Sequence, residues 1–487
     1  MFLHESPLSM DLWLRTFGLS SLVSIDIQNA SEDVLVPPFD AESRQGSAVV
    51  SKAVLILTLV GNGCLGVPYA FAKCGVPLAI FLIIALAILM DLTLYLLWIC
   101  ARKTGCNTYG GVVRVTFGDR AHGASSLFIF LYLLLMVSQY MISVRDIFSK
   151  LIQHYLPEAS PFLIMFWLQI LLVPAFYKTK LRSLWFFAYI GVFSLIASFA
   201  ILCYKSNHYH TEIRVLRTWP VTFNDTLLGF NTLLLNIVAS FNILYVQSEL
   251  KTPTLPRMET VVRQGVFAAS LLAVAIGVAG CRFFYLADDE IPYNFLDHAA
   301  LQYHSQALHL ASGITIWLAT PLIVIPCRDN FLDMIEALCL DGKCPEEFSD
   351  CQDDIETFTT RSSTLSGQNH NTLVLYDETS HLLPSIEEDT RCELNLNPYA
   401  HYGSIFVIMV AAELLTLDNT IVPIIWKILA PSMTVIVAYL LPAACYLEIH
   451  KRQCQRYKTF SRWVIALSIT FCFFCTIEAV RDVLVNR

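Results

Sequence analysis

The chain has 487 residues, of which 55% are hydrophobic and 15% charged, with a formal net charge of −8. Soluble domains carry about 25% charged residues, and a hydrocarbon core about 30 Å thick takes roughly 20 apolar residues per helix. The many long apolar runs therefore read as a polytopic helical membrane protein. They do not alternate, which excludes a β-barrel, and the acids gather in one loop, so the charge gives no reason to expect a nucleic-acid partner.

Residues 1–47 mix prolines and acids and read as a disordered cytosolic tail. Met1 to Met10 carries no basic region followed by an apolar core, so no cleaved signal is expected. Eleven spans follow, at about 48–72, 76–101, 123–149, 161–177, 182–204, 227–249, 261–285, 305–327, 402–417, 423–448 and 460–483. Lysines and arginines such as Arg102, Lys103, Lys178, Lys180, Lys451 and Arg452 are denser in the loops that lie inside if the N-terminus is cytosolic. The positive-inside rule then places the C-terminus outside or in a lumen. Helices one to eight make a block of 48–327 and helices nine to eleven one of 402–487. The loop between them, 328–401, is acidic, then rich in Ser, Thr and Asn, and reads as disordered. Within it Glu378, Leu382 and Leu383 form an acidic dileucine-like pattern of the kind clathrin adaptors read on cytosolic segments.

The first span is the one the chain is organised around. Its run VLILTLVGNGCLGVPYAF carries Gly61, Gly63, Gly66 and Pro68, which break a helix at mid-membrane. Backbone freed at that depth is tolerated only where protein covers it or where it lines a cavity, and in transporters such breaks hold the substrate. The competing reading is a kinked helix packed through its glycines. The sixth span carries Asn231, Asn236, Ser240, Asn242 and Gln247 among apolar residues, and a second break is expected near Ala239 to Asn242 although no glycine or proline marks it. Five helices separate the two starts, the spacing of a five-plus-five inverted repeat whose broken first helices face each other.

Ionisable residues inside spans are costly and are default functional candidates. Asp91, Glu413 and Glu478 stand out, and Glu249 closes the sixth span beside Lys251, where an interfacial ion pair competes with a proton-relay role. Cys203 and Cys281 sit near the outer ends of two spans, so a disulfide between them is one expectation; Cys339, Cys344 and Cys351 match no metal spacing and read as free thiols. HExxH, P-loop and GxSxG patterns are missing from the sequence, so neither an enzyme, a metal centre nor a bound cofactor is expected. Asn224-Asp225-Thr226 is a glycosylation sequon close to the sixth span.

Four stretches together resemble the amino acid/auxin permease family. GNGCLGVPYAFAKCG is similar to its first-helix signature and SELKTPTLPRM to its Glu-Leu-Lys segment. ATPLIVIPCRDNF, with Pro321, Pro326 and Arg328, is similar to its eighth-helix element, and LLPAACYLEIHK to its tenth-helix ending. The resemblance covers roughly 48–330 and 400–485 and implies an all-α LeuT-like fold of eleven transmembrane helices with helices one and six broken. It also implies secondary transport of amino acids. Carried over by position, backbone around Gly61, Asn62, Gly63, Cys64, Leu65 and Gly66 would bind the substrate carboxylate, and Ser240 and Asn242 would face its amino group. Sodium-coupled members similar to this chain carry an asparagine where Leu57 stands and a threonine where Ala319 stands, with Thr320 displaced by one. That departure favours a proton over sodium as coupling ion, or facilitated exchange, with Asp91, Glu249, Thr320 and Glu413 as ion-coupling candidates.

The sequence thus supports an alternating-access amino-acid transporter for neutral substrates in an endolysosomal or vacuolar membrane, with the plasma membrane as alternative. Its rival is an amino-acid receptor of the same fold that signals through the 328–401 loop.

Overall fold

The structure, a computed structural model, describes residues 46–178, 180–208, 219–220, 222–251, 254–285, 294–297, 306–339, 398–417, 421–450 and 455–485. The dileucine-like pattern of Glu378, Leu382 and Leu383, and nearly all of the N-terminal tail, lie outside them. The described residues contain no strand, only an isolated parallel bridge between Gly46 and Leu250. In order the helices are α1 (Ala48–Val60), α2 (Val67–Cys74), α3 (Val76–Thr104), α4 (Tyr109–Phe117), α5 (Asp119–Gln153), α6 (Pro161–Phe176), α7 (Trp185–His208) and α8 (Phe223–Asn236). They continue with α9 (Ser240–Glu249), α10 (Leu255–Tyr285), α11 (Gln306–Cys339), α12 (Pro398–Thr416), α13 (Ile421–Val435), α14 (Leu441–Ile449) and α15 (Gln455–Val485). Among the described residues nine helical segments are long and apolar enough to cross a membrane, α8 and α9 together counting as one; α1 and α6 are shorter apolar helices.

Two packing groups organise the chain. The most extensive contact is between α5 and α11, and α7 and α12 join this pair. In the second group α10 packs along α1, α2 and α3, while α8 packs on α2. Hydrophobicity does not sort one face from another where lipid surrounds the protein, so close approach depends on small residues. A Cβ at Gly277 of α10 would overlap the ring of Phe71, and one at Gly280 would come within 2.5 Å of Pro68 Cγ. These two glycines let α10 lie against α2.

Proline sets the irregularities. Pro326 lies inside α11 and cannot donate to the carbonyl four residues back, that of Leu322. Between α13 and α14 the backbone makes a π-turn over Ile436–Leu440, just ahead of Pro442. The Tyr109 hydroxyl, at the start of α4, donates to the Val437 carbonyl there at 2.8 Å.

Three expectations are corrected. The eighth helix does not stop at 327 but runs on to Cys339, where several polar groups after Pro326 find partners within the protein. Arg328 binds Asp329 at 2.6 Å and donates to the Lys178 carbonyl at 3.2 Å, and Asn330 donates to the Pro326 carbonyl at 2.7 Å. Cys203 and Cys281 are not bridged; both thiols are free, Cys281 being packed in the apolar core while Cys203 stays half-exposed. The break in the sixth span falls at Ile237–Ala239, ahead of the expected 239–242. The sequon residue Asn224 sits in the first turn of α8 with its Oδ1 buried, a poor position for an enzyme that needs an accessible asparagine.

Replacing Gly277 with leucine should destabilise the purified protein by about 1–3 kcal/mol, the usual cost of overpacking. Thermal unfolding in detergent checks it, with Gly403→Leu as control, because a Cβ at Gly403 meets nothing within 4 Å.

Candidate functional site

The first span breaks where the sequence says it should. Helix α1 begins on Ser47, whose hydroxyl accepts from Val49 N–H at 3.3 Å, and its last regular bond runs from Gly61 N–H to Leu57 O at 2.9 Å. The chain then makes a 3-10 turn over Asn62–Leu65 before α2 starts with Pro68 in its first turn. In the sixth span α8 ends at Asn236, Ile237 to Ala239 leave the helical conformation, and α9 starts at Ser240. A helix end leaves up to four N–H or C=O groups without intrahelical partners, so each break exposes a set of backbone donors and acceptors.

The two breaks touch. A Cβ added to Gly63 would overlap the Asn236 side chain and come within 3.0 Å of Asn236 Cα, so glycine is what allows the 3-10 turn to lie on the end of α8. A Cβ on Gly61 would overlap the Tyr140 hydroxyl, which α5 brings to the same place. Asn242 ties the arrangement to the rest of the bundle. Its Nδ2 donates to Thr58 Oγ1 of α1 at 2.9 Å and to the Leu322 carbonyl of α11 at 3.1 Å, the carbonyl that Pro326 frees. Ser240 and Asn242 are wholly buried and Asn236 is nearly so. Ser240 Oγ, Asn242 Oδ1 and Asn236 Nδ2 have no hydrogen-bond partner among the described residues. Burying such groups unsatisfied costs about 1–3 kcal/mol each, which a bound polar molecule would recover. Cys64 and Leu65 are buried within the turn, and Cys64 also lines a crevice with Ser198, Phe199 and Ser312 that has room for little more than a water.

The four expected ion-coupling residues do not converge there. Thr320 donates its hydroxyl to Ile316 O in its own helix at 3.1 Å. Asp91, on α3, is under the influence of Arg263 and Glu259 of α10. Glu413 lies on α12, its Oε1 buried without a hydrogen-bond partner among the described residues. Glu249 closes α9, where its carboxylate accepts from Leu181 N–H at 2.7 Å and Arg182 N–H at 2.6 Å, capping the segment that opens α7 with the charges of Lys180 and Arg182 nearby. On the backbone side, Gly46 N–H donates to Glu249 O at 2.7 Å and Lys251 N–H to Gly46 O at 2.9 Å. The start of α1, the end of α9 and the start of α7 are thereby locked at one end.

Thr58, Tyr140 and Asn236 are the site residues that sequence reasoning did not assign. Asn236 is visible as a polar residue within an apolar run, but nothing in linear spacing places Thr58 or Tyr140 beside it.

Interrupted helices that meet around buried, unsatisfied polar groups in a bundle of membrane-length helices define the broken-helix class of membrane transporters. The chain belongs to the family of transmembrane amino acid transporter proteins, whose match covers residues 44–481. It is a family of transporters, not of enzymes. A putative sodium-coupled neutral amino acid transporter 11 of Danio rerio is 30% identical over 120 residues, covering 24% of this chain and 27% of its own length. The chain thus spans only about a quarter of that relative. Vacuolar amino acid transporter 7 of Saccharomyces cerevisiae is 24% identical over 334 residues, covering 62% of each chain. In fold, the chain is similar to a Na+-coupled sialic acid symporter in a substrate-bound, outward-open state, with a TM-score of 0.52 at 10% identity over 90% of this chain and 91% of that one.

Substituting Asn242 with leucine leaves Thr58 Oγ1 and the Leu322 carbonyl without their donor and should cost about 1–3 kcal/mol of stability. In a Pro326→Ala background the restored N–H serves Leu322, so the same substitution should cost measurably less. A double-mutant cycle on thermal unfolding reads the difference.

Proposed function

We propose that this protein is a secondary transporter of neutral amino acids that works by alternating access around the paired breaks. The contact of Gly63 with Asn236, with unsatisfied polar atoms gathered at it, carries the reading. The N–H groups of Asn62 and Gly63, which precede the bonded donors of the 3-10 turn, and Asn236 Nδ2 supply donors for a carboxylate, a use that helix ends favour. Ser240 Oγ and Asn242 Oδ1 supply acceptors for an ammonium. The side chains that meet here, Tyr140, Asn236, Ser240, Asn242 and Thr58, are uncharged, which suits substrates without a charged side chain. Counting α1, the turn and α2 as one span, and α6 as another, gives eleven. The breaks then open the two halves of a five-plus-five repeat, with the N-terminus cytosolic and the C-terminus lumenal.

Coupling to a proton, or facilitated exchange, is favoured over coupling to sodium. Two oxygens that face each other between α1 and α11, Thr58 Oγ1 and Leu322 O, are already engaged by the Asn242 amide, and Leu57 offers no ligand beside them. An endolysosomal or vacuolar membrane is the favoured location, in keeping with the yeast relative, and the dileucine-like pattern would bring adaptor proteins to a cytosolic loop. Opening toward the cytosol would release the contacts that Glu249 and Gly46 make, as α1 and α9 move from the start of α7.

Uptake of a labelled neutral amino-acid mixture into proteoliposomes should show accumulation under an imposed proton gradient, or exchange without one, and no response to sodium. Gly63→Val, inserted and folded, should abolish either. Saturable binding without flux would instead identify a receptor. Glu249→Gln keeps one acceptor, neutral and roughly half as strong, and sets an NH2 donor against the other N–H, and should loosen the cytosolic closure. A cysteine placed at Ser51 would then react several-fold faster with a membrane-impermeant thiol reagent added from the cytosolic face.

A further inference from the structure

Below the two breaks, where α11 continues past Pro326, a second polar cluster is buried between α4, the first turn of α5 and the extension of α11. His122 lies in the first turn of α5, Asp333 on the extension of α11, and Gly110 in the short inner helix α4. His122 Nδ1 is 3.0 Å from the Gly110 carbonyl. A Cβ built on Gly110 would lie 3.0 Å from His122 Nδ1 and 3.0 Å from Asp333 Oδ2, so the missing side chain leaves room between imidazole and carboxylate, which make no direct hydrogen bond to each other. His122 is 9% exposed and Asp333 6%. One turn on, Glu336 Oε2 is buried with no hydrogen-bond partner among the described residues. Gly123 of α5, where a Cβ would meet Ala337 at 3.0 Å, and the Phe130–Phe331 ring contact at 5.0 Å hold the α11 extension in place.

The charges around the pair are specific. From α4 and the start of α5, Arg114 and Asp119 form an ion pair at 2.7 Å. From α11, Asp329 and Glu336 act on Asp333. Arg328 is taken by Asp329, and His401 of α12 lies 3.2 Å from it. Tyr245 of α9 donates to Asp329 Oδ2 at 2.8 Å. Asp329, Asp333 and Glu336 stand at i, i+4 and i+7, so they share one face of the helix.

We propose that His122 and Asp333 form an inner proton-binding site, the last station of the coupled proton before the cytosol. The inference rests on the proton-coupled reading above. The proton enters as an N–H of His122 or an O–H of Asp333 and leaves to cytosolic water, with Glu336 nearest the exit, and no other bond is made or broken. Coupling to the conformational change runs through Tyr245. When α9 swings away from α11, Asp329 loses a hydrogen-bond donor and its charge acts more strongly on Asp333. A proton held on the pair offsets that charge, so loading the site favours opening to the cytosol.

The test uses the full chain in proteoliposomes with labelled neutral amino acids and two assays, accumulation driven by a proton gradient and counterflow at equal pH. Asp333→Asn and His122→Gln should each lose gradient-driven accumulation by about tenfold or more while keeping counterflow within about threefold of the unsubstituted protein, a split that a structural role would not produce. Infrared difference spectra between acid and neutral pH should show the carbonyl stretch of a protonated carboxylic acid that Asp333→Asn removes. Accumulation by Asp333→Asn equal to that of the unsubstituted protein overturns this proposal alone. So does parallel loss of both assays in Asp333→Asn and His122→Gln with the infrared band unchanged. An unsubstituted protein that exchanges substrate but ignores the proton gradient overturns the coupling reading, and this site with it.

Discussion

A carbonyl stripped of its donor in the middle of a membrane helix must be given another one, because lipid offers none. Pro326 creates such a carbonyl at Leu322, and Asn242, reaching across from the start of α9, satisfies it. The same amide nitrogen holds Thr58 in α1. One side chain therefore answers a debt that proline incurs in α11 and uses it to fix the inner halves of both broken helices against the scaffold. The other amide atom, Oδ1, is left without a partner among the described residues. A site that binds a polar ligand needs such unspent capacity, and it is stable only because the first half of the same side chain is anchored.

The breaks divide the two interrupted helices by depth. On one side α2 and α8 are joined by the Lys73–Asp225 ion pair at 3.4 Å and by Gly229, which has no side chain where Cys74 packs. Asp225 is held in turn by a capping box with Thr222. On the other side α1 and α9 are joined by the Gly46–Leu250 bridge and by Asn242 with Thr58. The half-helices on either side of the breaks are thus paired with each other, α2 with α8 and α1 with α9. The backbone between them, Gly61 to Gly66 and Ile237 to Ala239, is non-α-helical and has dihedral freedom that a continuous helix lacks.

Much of this was legible in the sequence because glycine and proline are physical instructions. Gly61, Gly63 and Gly66 marked the first break correctly, and apolar run lengths placed most helices. The second break was only approximately legible: no glycine or proline lies at Ile237–Ala239, and the interruption is imposed by packing against the first. The α11 extension was misjudged because Arg328, Asp329, Asn330 and Asp333 look like loop residues when counted one by one. In the fold Arg328 reaches the Lys178 carbonyl and His401, Asp329 accepts from Tyr245, and Asn330 bonds back to the Pro326 carbonyl, so the segment stays helical. Thr58 and Tyr140 were illegible for a plainer reason, since a hydroxyl in an apolar run carries no mark of which neighbour it faces. The Cys203–Cys281 pairing failed on the same ground: two residues at the same expected depth need not share a face.

Glu249 shows how location changes the meaning of an acid. An ionisable residue at a span end suggests proton chemistry or an ion pair, yet here both carboxylate oxygens are committed to backbone N–H groups of the segment leading into α7. Such charge-assisted bonds to helix-end donors are strong and directional, and they vanish together when the elements separate. Asp333 is the contrasting case. It is equally buried, but the groups that act on it are the charges of Asp329, Glu336 and Arg114, with His122 across Gly110, and not a set of backbone donors. A carboxylate fully spent on backbone N–H groups holds a closed state; one among partners that can exchange a proton can change its charge as the closed state is left. The two acids sit on helices that Tyr245 links through Asp329, so in the proposed cycle the contact of Glu249 and the charge of Asp333 belong to one connected set of contacts.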